Sequence, residues 1–373
     1  MRRLTVVQML PALDAGGVEQ STLEIADALV RAGHRAVVVS AGGRLLPTLE
    51  ALGAEHVRLD IGRKSPLVLR HVPALRRLFR AVGADIVHAR SRLPAWLGWM
   101  ALRGTPAAAR PRFATTVHGL NSPSRYSAIM ARGERVVCVS ESVRAHVLRH
   151  YPATDPRCLR VIPRGIDPAA FPRVAGRDAA ARASVADAHP ALAGDGPLLL
   201  LPGRGTRLKG HADAIGLLAN LRAAGMDARL WMPGALQEGR EADLAELQRL
   251  AAEAGVDDAL ALTAPTAGMA AAYAASDLVL QLSRKPEAFG RTVVEALAVG
   301  RPVLGWAHGG VGELLAELQP QGAVPPFDAG ALSAAARRLL AHPPAPPATM
   351  PYTLVAMQQA TLALYADMVG DAG

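Results

Sequence analysis

Cysteine is scarce in this chain, which has only Cys138 and Cys158 among its 373 residues. The two cysteines do not form a metal-ligand pattern, so the sequence indicates a reducing compartment and no disulfide framework. Long hydrophobic runs are also missing, since no stretch approaches the ~18 apolar residues that span a bilayer. The opening MRRLTVVQML is short and lacks a cleavage pattern, so we interpret it as a first strand. These absences predict a cytoplasmic protein that is at most peripheral on a membrane.

Aromatic residues make up only 4% of the chain, which argues against binding of single-stranded nucleic acid by base stacking. The sequence contains no HExxH, GxSxG or GxGxxG pattern, no GxxxxGK followed by Ser or Thr, and no cluster of Cys and His. Metalloprotease, serine hydrolase, P-loop and dinucleotide-binding functions therefore have no support. We expect no nucleic acid as a partner.

Charge is distributed unevenly along the chain. Residues 1–170 have 25 Lys and Arg against 12 Asp and Glu, a net charge of +13, whereas the remainder has 16 against 20, a net charge of −4. The basic half suggests an anionic partner: a phosphorylated lipid, an acidic glycan or, as the weakest of the three candidates, nucleic acid. Lysine itself is rare, with Lys64, Lys209 and Lys285 against 38 arginines. Two of these three lysines lie beside the anion site suggested below.

Apolar runs alternate with helical runs, which is typical of a parallel sheet covered on both faces. A Pro-, Ala- and charge-rich segment near residue 170 resembles a linker, and the length favours two domains. We therefore predict two doubly wound, Rossmann-like α/β domains, 1–168 and 169–350, facing each other across a cleft. The terminal segment 351–373 is predicted to carry a helix that crosses back onto the first domain. The predicted strands are 4–10, 34–41, 84–90, 112–119, 135–140, 158–165, 197–203, 228–234, 259–264, 278–283 and 302–306.

Ligands of such sheets bind beyond the carboxyl ends of the strands, so the residues that follow strands are the candidates. In the stretch 287–315, EAFGRTVVEALAVGRPVLGWAHGGVGELL, a polar loop leads into a helix. Gly290 allows close backbone approach, and the helix start at Arg291 and Thr292 offers unpaired N–H groups to an anion. Glu287 in the loop and Glu295 in the helix could each accept two hydroxyls. Carboxylates on both sides of an anion site suit a nucleotide sugar. In the alternative interpretation, Glu287 only stabilises the helix dipole and Glu295 faces solvent.

Three further candidate regions follow predicted strands. In PGRGTRLKGHADAI (202–215), Arg204 and Lys209 could both reach a diphosphate, the alternative being a solvated basic loop. In LDAGGVEQSTLEIA (13–26), Gly16-Gly17 precedes a helix and favours close approach of a ligand, although such pairs are often only turns. Histidines close the strands of TTVHG and DIVHAR, and of the two we consider only His118 a candidate ligand, because a lone histidine is more often structural.

With these stretches in order, the chain resembles the family 4 glycosyltransferases, which have the GT-B fold. The resemblance covers nearly the whole length and is carried by MLPALDAGGVEQ, TVHG, VCVSESV, VIPRGID, GRGTRLKG and the 287–315 stretch. It implies metal-independent transfer of a sugar from a nucleotide diphosphate sugar with retention of anomeric configuration. We expect a UDP-hexose as the donor and no cofactor. The sequence departs from many members at Arg164, where they have Asn, and at TAP (263–265), near the base.

The resemblance also implies roles for individual residues. Glu287 would hold the donor sugar and Glu295 the ribose hydroxyls, while Arg204 and Lys209 would neutralise the diphosphate leaving group. The remaining positions would contact the donor through backbone or lie near the reacting face of the sugar; they are Gly16, Gly17, His118, Phe289, Gly290, Arg291 and Thr292.

The first domain holds the acceptor in this fold, and its charge predicts an anionic glycan or glycolipid such as lipopolysaccharide core. The stretch 63–83 places apolar residues on one helical face and arginines beside or opposite it, which fits either a core-facing helix or docking on an anionic membrane. The apolar positions are Val68, Val72, Leu75, Phe79 and Val82, and the basic ones are Arg76, Arg77 and Arg80. Two alternative functions stay open. A nucleotide-sugar epimerase would need no acceptor, and a non-catalytic sugar-nucleotide-binding subunit would tolerate Glu287→Ala.

Overall fold

The computed structural model describes residues 2–14 and 16–370. Its contacts divide the chain into two units, one formed by the residues up to Gly165 together with those from Leu354 onward, the other by Ile166–Thr353. The boundaries expected from the sequence, after residues 168 and 350, lie a few residues from these. The last part of the predicted terminal segment, 371–373, lies outside the described residues.

The first unit is built on a parallel sheet of seven strands in the order β3-β2-β1-β4-β5-β6-β7. The strands are β1 Thr5–Met9, β2 Arg35–Ser40, β3 Glu55–Arg58, β4 Ile86–Ala89, β5 Arg112–Val117, β6 Arg135–Cys138 and β7 Leu159–Val161. The helices between them are α1 Gly17–Arg31, α2 Leu46–Ala51, α3 His71–Ala81, α4 Arg92–Arg103 and α5 Glu141–His150. This sheet is the doubly wound arrangement that the alternating apolar runs predict.

Strand β1 shows why the sheet forms. Its residues Val6, Val7 and Met9 are fully buried, as expected for a central strand covered on both faces. Gln8, also fully buried, donates from Nε2 to the carbonyl oxygen of Thr22 in α1 at 3.1 Å, so the polar side chain ties sheet to helix.

The second unit is built on a parallel sheet of six strands in the order β10-β9-β8-β11-β12-β13. The strands are β8 Leu198–Leu200, β9 Arg229–Pro233, β10 Leu260–Thr263, β11 Leu278–Gln281, β12 Val303–Trp306 and β13 Ala323–Val324. The helices are α6 Ala179–Ala188, α7 His211–Ala223, α8 Glu241–Glu253, α9 Met269–Ala275, α10 Arg291–Val299, α11 Gly309–Leu318 and α12 Ala329–Ala341. Its core contains the fully buried Leu199, Leu230 and Leu304.

The final helix, α13, spans Leu354–Gly370 and belongs to the first unit, as the sequence predicts. It packs against α1, and its Met357, Leu364 and Tyr365 join the core of the first unit.

The stretch 63–83 is not one continuous helix. Ser65 caps a 3-10 helix, Pro66–Arg70, by accepting from the backbone N–H of Leu67 at 3.3 Å, and α3 begins only at His71. Val68, Leu75 and Phe79 are buried, while Val72 and Val82 are partly exposed. The predicted apolar face is therefore mostly a core face, and the exposed apolar residues of this stretch are different ones, Leu67 and Leu69.

Candidate functional site

Three polar side chains meet just beyond the carboxyl end of β11. Oε1 of Glu287 accepts from Nζ of Lys209 and from Oγ of Ser283, each at 2.5 Å. Lys209 and Glu287 retain side-chain exposures of 33% and 22%. Within the described residues the other oxygen, Oε2, has no hydrogen-bond partner. The carboxylate is thus oriented through one oxygen and can accept a ligand hydroxyl through the other.

The loop after β8 delivers Lys209 to this point. Gly210, which precedes α7, has φ 77, and a Cβ on it would lie 2.0 Å from the carbonyl oxygen of Leu282. The start of α7 therefore packs backbone against backbone on the segment that follows β11. Arg204 lies on the same loop with an exposed guanidinium that makes no hydrogen bond or ion pair in the part of the chain described. The structure brings Lys209, but not Arg204, into contact with Glu287.

Helix α10 begins where the sequence predicts, directly after Gly290. This glycine has φ 115, and the N-cap position makes no side-chain hydrogen bond to the first turn of α10, which begins at Arg291 and Thr292. Phe289 is 7% exposed, and its ring packs at 5.6 Å against Tyr352. Phe289 therefore contributes its side chain to the core and only its backbone to the site.

A pair of glycines at the start of α11 supports the loop that carries Glu287. The N–H of Gly310 donates to the carbonyl oxygen of Glu287 at 2.8 Å. A Cβ on Gly310 would lie 2.5 Å from backbone atoms of Phe289, and a Cβ on Gly309 would lie 2.5 Å from the carbonyl oxygen of Glu287. Only glycines leave room for this close approach, so the Gly-Gly pair positions the loop.

Glu295 lies in α10 and is held by Tyr273 of α9. The hydroxyl of Tyr273, a residue only 1% exposed, donates to Oε2 of Glu295 at 2.8 Å. Burial and the Glu295 carboxylate raise the pKa of Tyr273 well above its usual value, so the phenol stays protonated and remains a donor. Glu295 is not the solvent-facing residue of the alternative interpretation.

His118 follows β5 in the first unit and contacts Arg164, whose Nη2 lies at hydrogen-bond distance from Nδ1 of the imidazole. Burial, followed by the charges of Arg164 and Arg90, lowers the pKa of His118 well below its usual value. His118 is therefore neutral near pH 7. Its Nε2 is buried and has no hydrogen-bond partner among residues 2–14 and 16–370.

His88, the other strand-closing histidine, is structural. Its Nδ1 lies 2.6 Å from the hydroxyl of Tyr365 in α13, and its Nε2 lies 2.7 Å from Oγ1 of Thr116. Both ring nitrogens are engaged inside the first unit. Because both ring nitrogens of His88 already have partners, His88 is less suited than His118 to bind a ligand.

Gly16 and Gly17 lie exposed at the start of α1. The carbonyl oxygen of Gly16 accepts from the N–H of Gln20 at 3.0 Å, and a Cβ on Gly17 would have no neighbour within 4 Å. These two glycines and His118 belong to the first unit, while the other predicted site residues belong to the second.

In the described part of the chain, no group of three or more His, Cys, Asp and Glu side chains is arranged to hold a metal ion. None of the described helices combines the length and apolar character needed to cross a membrane.

Comparison with known proteins identifies both units. The model of Glycosyltransferase Family 4 matches residues 15–170, and that of Glycosyl transferases group 1 matches residues 186–351. The chain belongs to the GT-B family 4 glycosyltransferases. The two parallel sheets described above have the Rossmann-like arrangement of this fold.

Individual relatives agree with this family. A D-inositol 3-phosphate glycosyltransferase of Xylanimonas cellulosilytica is 30% identical over 61% of this chain, and the match spans 56% of that relative. A crystal structure of a glycosyltransferase from Rickettsia africae has a TM-score of 0.86 and 26% identity, covering 99% of each chain. Anabaena HepE in complex with UDP and glucose has a TM-score of 0.80 and 19% identity, covering 98% of this chain and 100% of HepE, which shows the shared fold.

Three residues of this candidate site are not singled out from the sequence. Ser283 was detectable in principle, because it stands just beyond β11, where the strand-end rule places ligand-binding residues. Tyr273 carries no local signal, since it lies inside α9 and meets Glu295 only through packing of α9 on α10. His308 donates from Nε2 to the carbonyl oxygen of Ser283 at 2.9 Å, a contact between segments distant in sequence.

Proposed function

We propose that this glycosyltransferase moves a hexose from UDP-hexose to an anionic glycan or glycolipid, with retention of configuration and without a metal ion. The observation that carries the proposal is the contact of Lys209 with Glu287 beside the uncapped start of α10. A cation, an oriented carboxylate and helix N–H groups together match a sugar joined to a diphosphate.

Departure of the diphosphate builds negative charge, and the second unit offers groups to stabilise it. Lys209 supplies an ammonium group, Arg204 an exposed guanidinium on the same loop, and the N-terminal end of α10 supplies backbone N–H groups at Arg291 and Thr292. Because such groups stabilise the developing charge more than the ground state, they accelerate the transfer.

The two carboxylates bind hydroxyls on either side of this charge. Glu287 is oriented by Lys209 and Ser283 through Oε1, which leaves Oε2 to accept from a hydroxyl of the donor sugar. Glu295 is held by Tyr273 and would accept from the ribose hydroxyls. The complex of the structurally similar HepE with UDP and glucose supports a uridine nucleotide as the first donor to test.

The acceptor is proposed from charge. Residues 1–170 carry a net charge of +13, and the D-inositol 3-phosphate glycosyltransferases among the relatives are named for a phosphorylated compound. Both observations support a phosphorylated acceptor. We extend this to a lipid-linked glycan such as lipopolysaccharide core, used at the cytoplasmic face of the inner membrane.

A thermal-shift panel of UDP-, GDP- and ADP-sugars tests the donor. A ligand present at 100 times its Kd stabilises the folded protein by about 2.7 kcal/mol, so the correct nucleotide class should give the largest shift. We expect UDP-glucose or another UDP-hexose to stabilise the wild type, and Glu287→Gln to lose the sugar-dependent part of the shift. Glu246→Gln, which alters an exposed ion pair with Arg207, is the matched control and should behave as wild type.

The same donor is then incubated with and without phosphorylated glycan acceptors. Appearance of a glycosylated acceptor supports the proposal. A changed sugar nucleotide formed without acceptor would identify an epimerase, and donor binding with no product from any acceptor would favour a non-catalytic binding subunit. Absence of a shift with every nucleotide sugar would overturn the proposal.

A further inference from the structure

The contact between Arg164 and His118 determines which ring nitrogen of the histidine carries a proton. Nη2 of Arg164 is at hydrogen-bond distance from Nδ1 of His118. A guanidinium has only donors and stays protonated, so Nδ1 must be the acceptor. In a neutral imidazole the proton then lies on Nε2.

The surroundings of His118 also keep the ring neutral. The charged and titratable groups that act on it are Arg164 after β7, Arg90 after β4 and His88 within β4, and none of them is acidic. Two guanidinium groups and burial all oppose a second proton on the ring, and they lower its pKa. His118 therefore offers one N–H donor over the neutral pH range.

That donor has no acceptor among the residues that the structure describes. Nε2 of His118 is buried and makes no hydrogen bond within the described residues. Leaving a buried N–H without an acceptor costs free energy, and unsatisfied groups of this kind concentrate where a ligand completes them. A ligand rich in oxygen atoms fits this position, because an oxygen can accept a hydrogen bond from the single neutral N–H donor.

We propose that Arg164 is a positioning residue that holds His118 in the Nε2–H tautomer, so that the imidazole donates to an oxygen of the sugar substrate. The identity of the ligand rests on the proposed function, whereas the tautomer rests on the contact alone. Arg164 is itself held in place, since its Nη1 lies 3.8 Å from Sδ of Met357 in α13.

Nitrogen NMR of 15N-histidine-labelled protein tests the tautomer directly. The His118 signals are assigned by their loss in His118→Gln, and long-range proton–nitrogen spectra are recorded from pH 6 to pH 9. We expect the shift of a protonated ring nitrogen at Nε2 and of an unprotonated one at Nδ1 throughout. A protonated Nδ1, or an average of the two tautomers, in the wild type would overturn the proposal.

Variants of Arg164 link the tautomer to activity. Arg164→Met removes the donor and should give averaged tautomers and a kcat lowered about tenfold, the effect of one lost hydrogen bond, with a smaller change in donor KM. Arg164→Lys keeps a donor and should retain most of the Nε2–H tautomer and most of the wild-type kcat. Arg160→Met, at an exposed arginine of β7, should change neither the tautomer of His118 nor kcat. If the Met and Lys variants lose equal activity while the tautomer is unchanged, Arg164 acts by packing alone and the proposal fails.

The outcomes separate this inference from the proposed function. A wild-type protein with the Nε2–H tautomer that transfers no sugar would support the tautomer assignment and overturn the function. An active transferase with His118 protonated at Nδ1 would overturn the tautomer assignment and leave the function standing. Since the wild-type spectrum decides the tautomer, poor folding of a variant does not remove the test.

Discussion

Nζ of Lys209 lies 2.5 Å from Oε1 of Glu287, although 78 positions separate the two residues in the chain. The pair places a cation and an anion in one partly exposed site before any ligand binds. A diphosphate can replace the carboxylate as a partner of Lys209, while Ser283 continues to hold Glu287 through its hydroxyl. In the proposed function, the groups that would stabilise the charge of the departing diphosphate are thus positioned in advance, an arrangement that lowers an activation barrier.

Replacement of Lys209 by Met should lower kcat by about 100-fold or more, because one preorganised group facing the developing charge is lost. Arg207→Met is the matched control, since Arg207 lies two positions away and pairs with Glu246 at an exposed site. Steady-state kinetics with the donor named by the thermal-shift panel measure the effect. Equal activity of the two variants would contradict a leaving-group role for Lys209.

Replacement of Tyr273 by Phe should weaken donor binding more than it slows transfer. The variant removes the hydroxyl that donates to Glu295 at 2.8 Å and should destabilise the fold by about 1 kcal/mol. We expect a raised donor KM at nearly unchanged kcat, measured beside the control Tyr126→Phe, whose tyrosine is 43% exposed. A variant with wild-type KM would show that Tyr273 supports only the core.

Replacement of Gly310 by Ala should displace the loop that carries Glu287. The new Cβ would lie 2.5 Å from backbone atoms of Phe289, and such overpacking costs about 1–3 kcal/mol. Urea unfolding should show this loss together with reduced donor binding. Gly216→Ala in α7, where a Cβ has no neighbour within 4 Å, should be neutral or slightly stabilising. Similar effects of both substitutions would argue against the loop contact.

Acid should destabilise the second unit through His211. Burial lowers the pKa of this 2% exposed histidine to about 4, below its unfolded value of about 6.5. The unfolded state therefore binds more protons, and stability is lost as the pH falls from about 6.5 towards 4. The loss should reach about 2 kcal/mol by pH 5.

Urea unfolding at pH 7 and pH 5 measures this loss. His211→Gln should show a smaller difference between the two pH values than wild type, and the exposed control His342→Gln should show the wild-type difference. If the unfolding free energy changes equally between pH 7 and pH 5 in all three proteins, His211 does not cause the loss of stability.

The stretch 63–83 should bind anionic membranes through its exposed apolar residues. Leu67 is 69% and Leu69 is 51% exposed, and Arg63, Lys64 and Arg70 flank them in sequence. We expect flotation with anionic vesicles at low salt and release at high salt, because polybasic attraction is screened. The double variant Leu67→Gln/Leu69→Gln should bind less.

The control for this experiment is Leu236→Gln/Val355→Gln, which changes two residues with exposures of 43% and 55% elsewhere. It should float as wild type does. Failure of the wild type to float with anionic vesicles at low salt would contradict membrane docking.

Most strands follow from local pattern, and the exceptions have physical reasons. The predicted strands at 4–10 and 34–41 correspond to β1 and β2, because buried parallel strands are continuous apolar runs. Strand β3, EHVR, has no fully buried residue, so its polar composition gives no strand signal. Strand β13 has only two residues, too few for any periodicity. Both escaped prediction.

The sequence alone determined that the chain forms two parallel sheets, and it located most of their strands and the strand ends at which ligands of such sheets are expected. It also singled out Glu287, Glu295 and Lys209, because strand-end position and residue chemistry are local properties. Only the tertiary structure decided that Lys209 meets Glu287, that Tyr273 holds Glu295 and that Arg164 meets His118. These contacts join segments far apart in the chain, so they depend on how helices and loops pack, which no local pattern encodes.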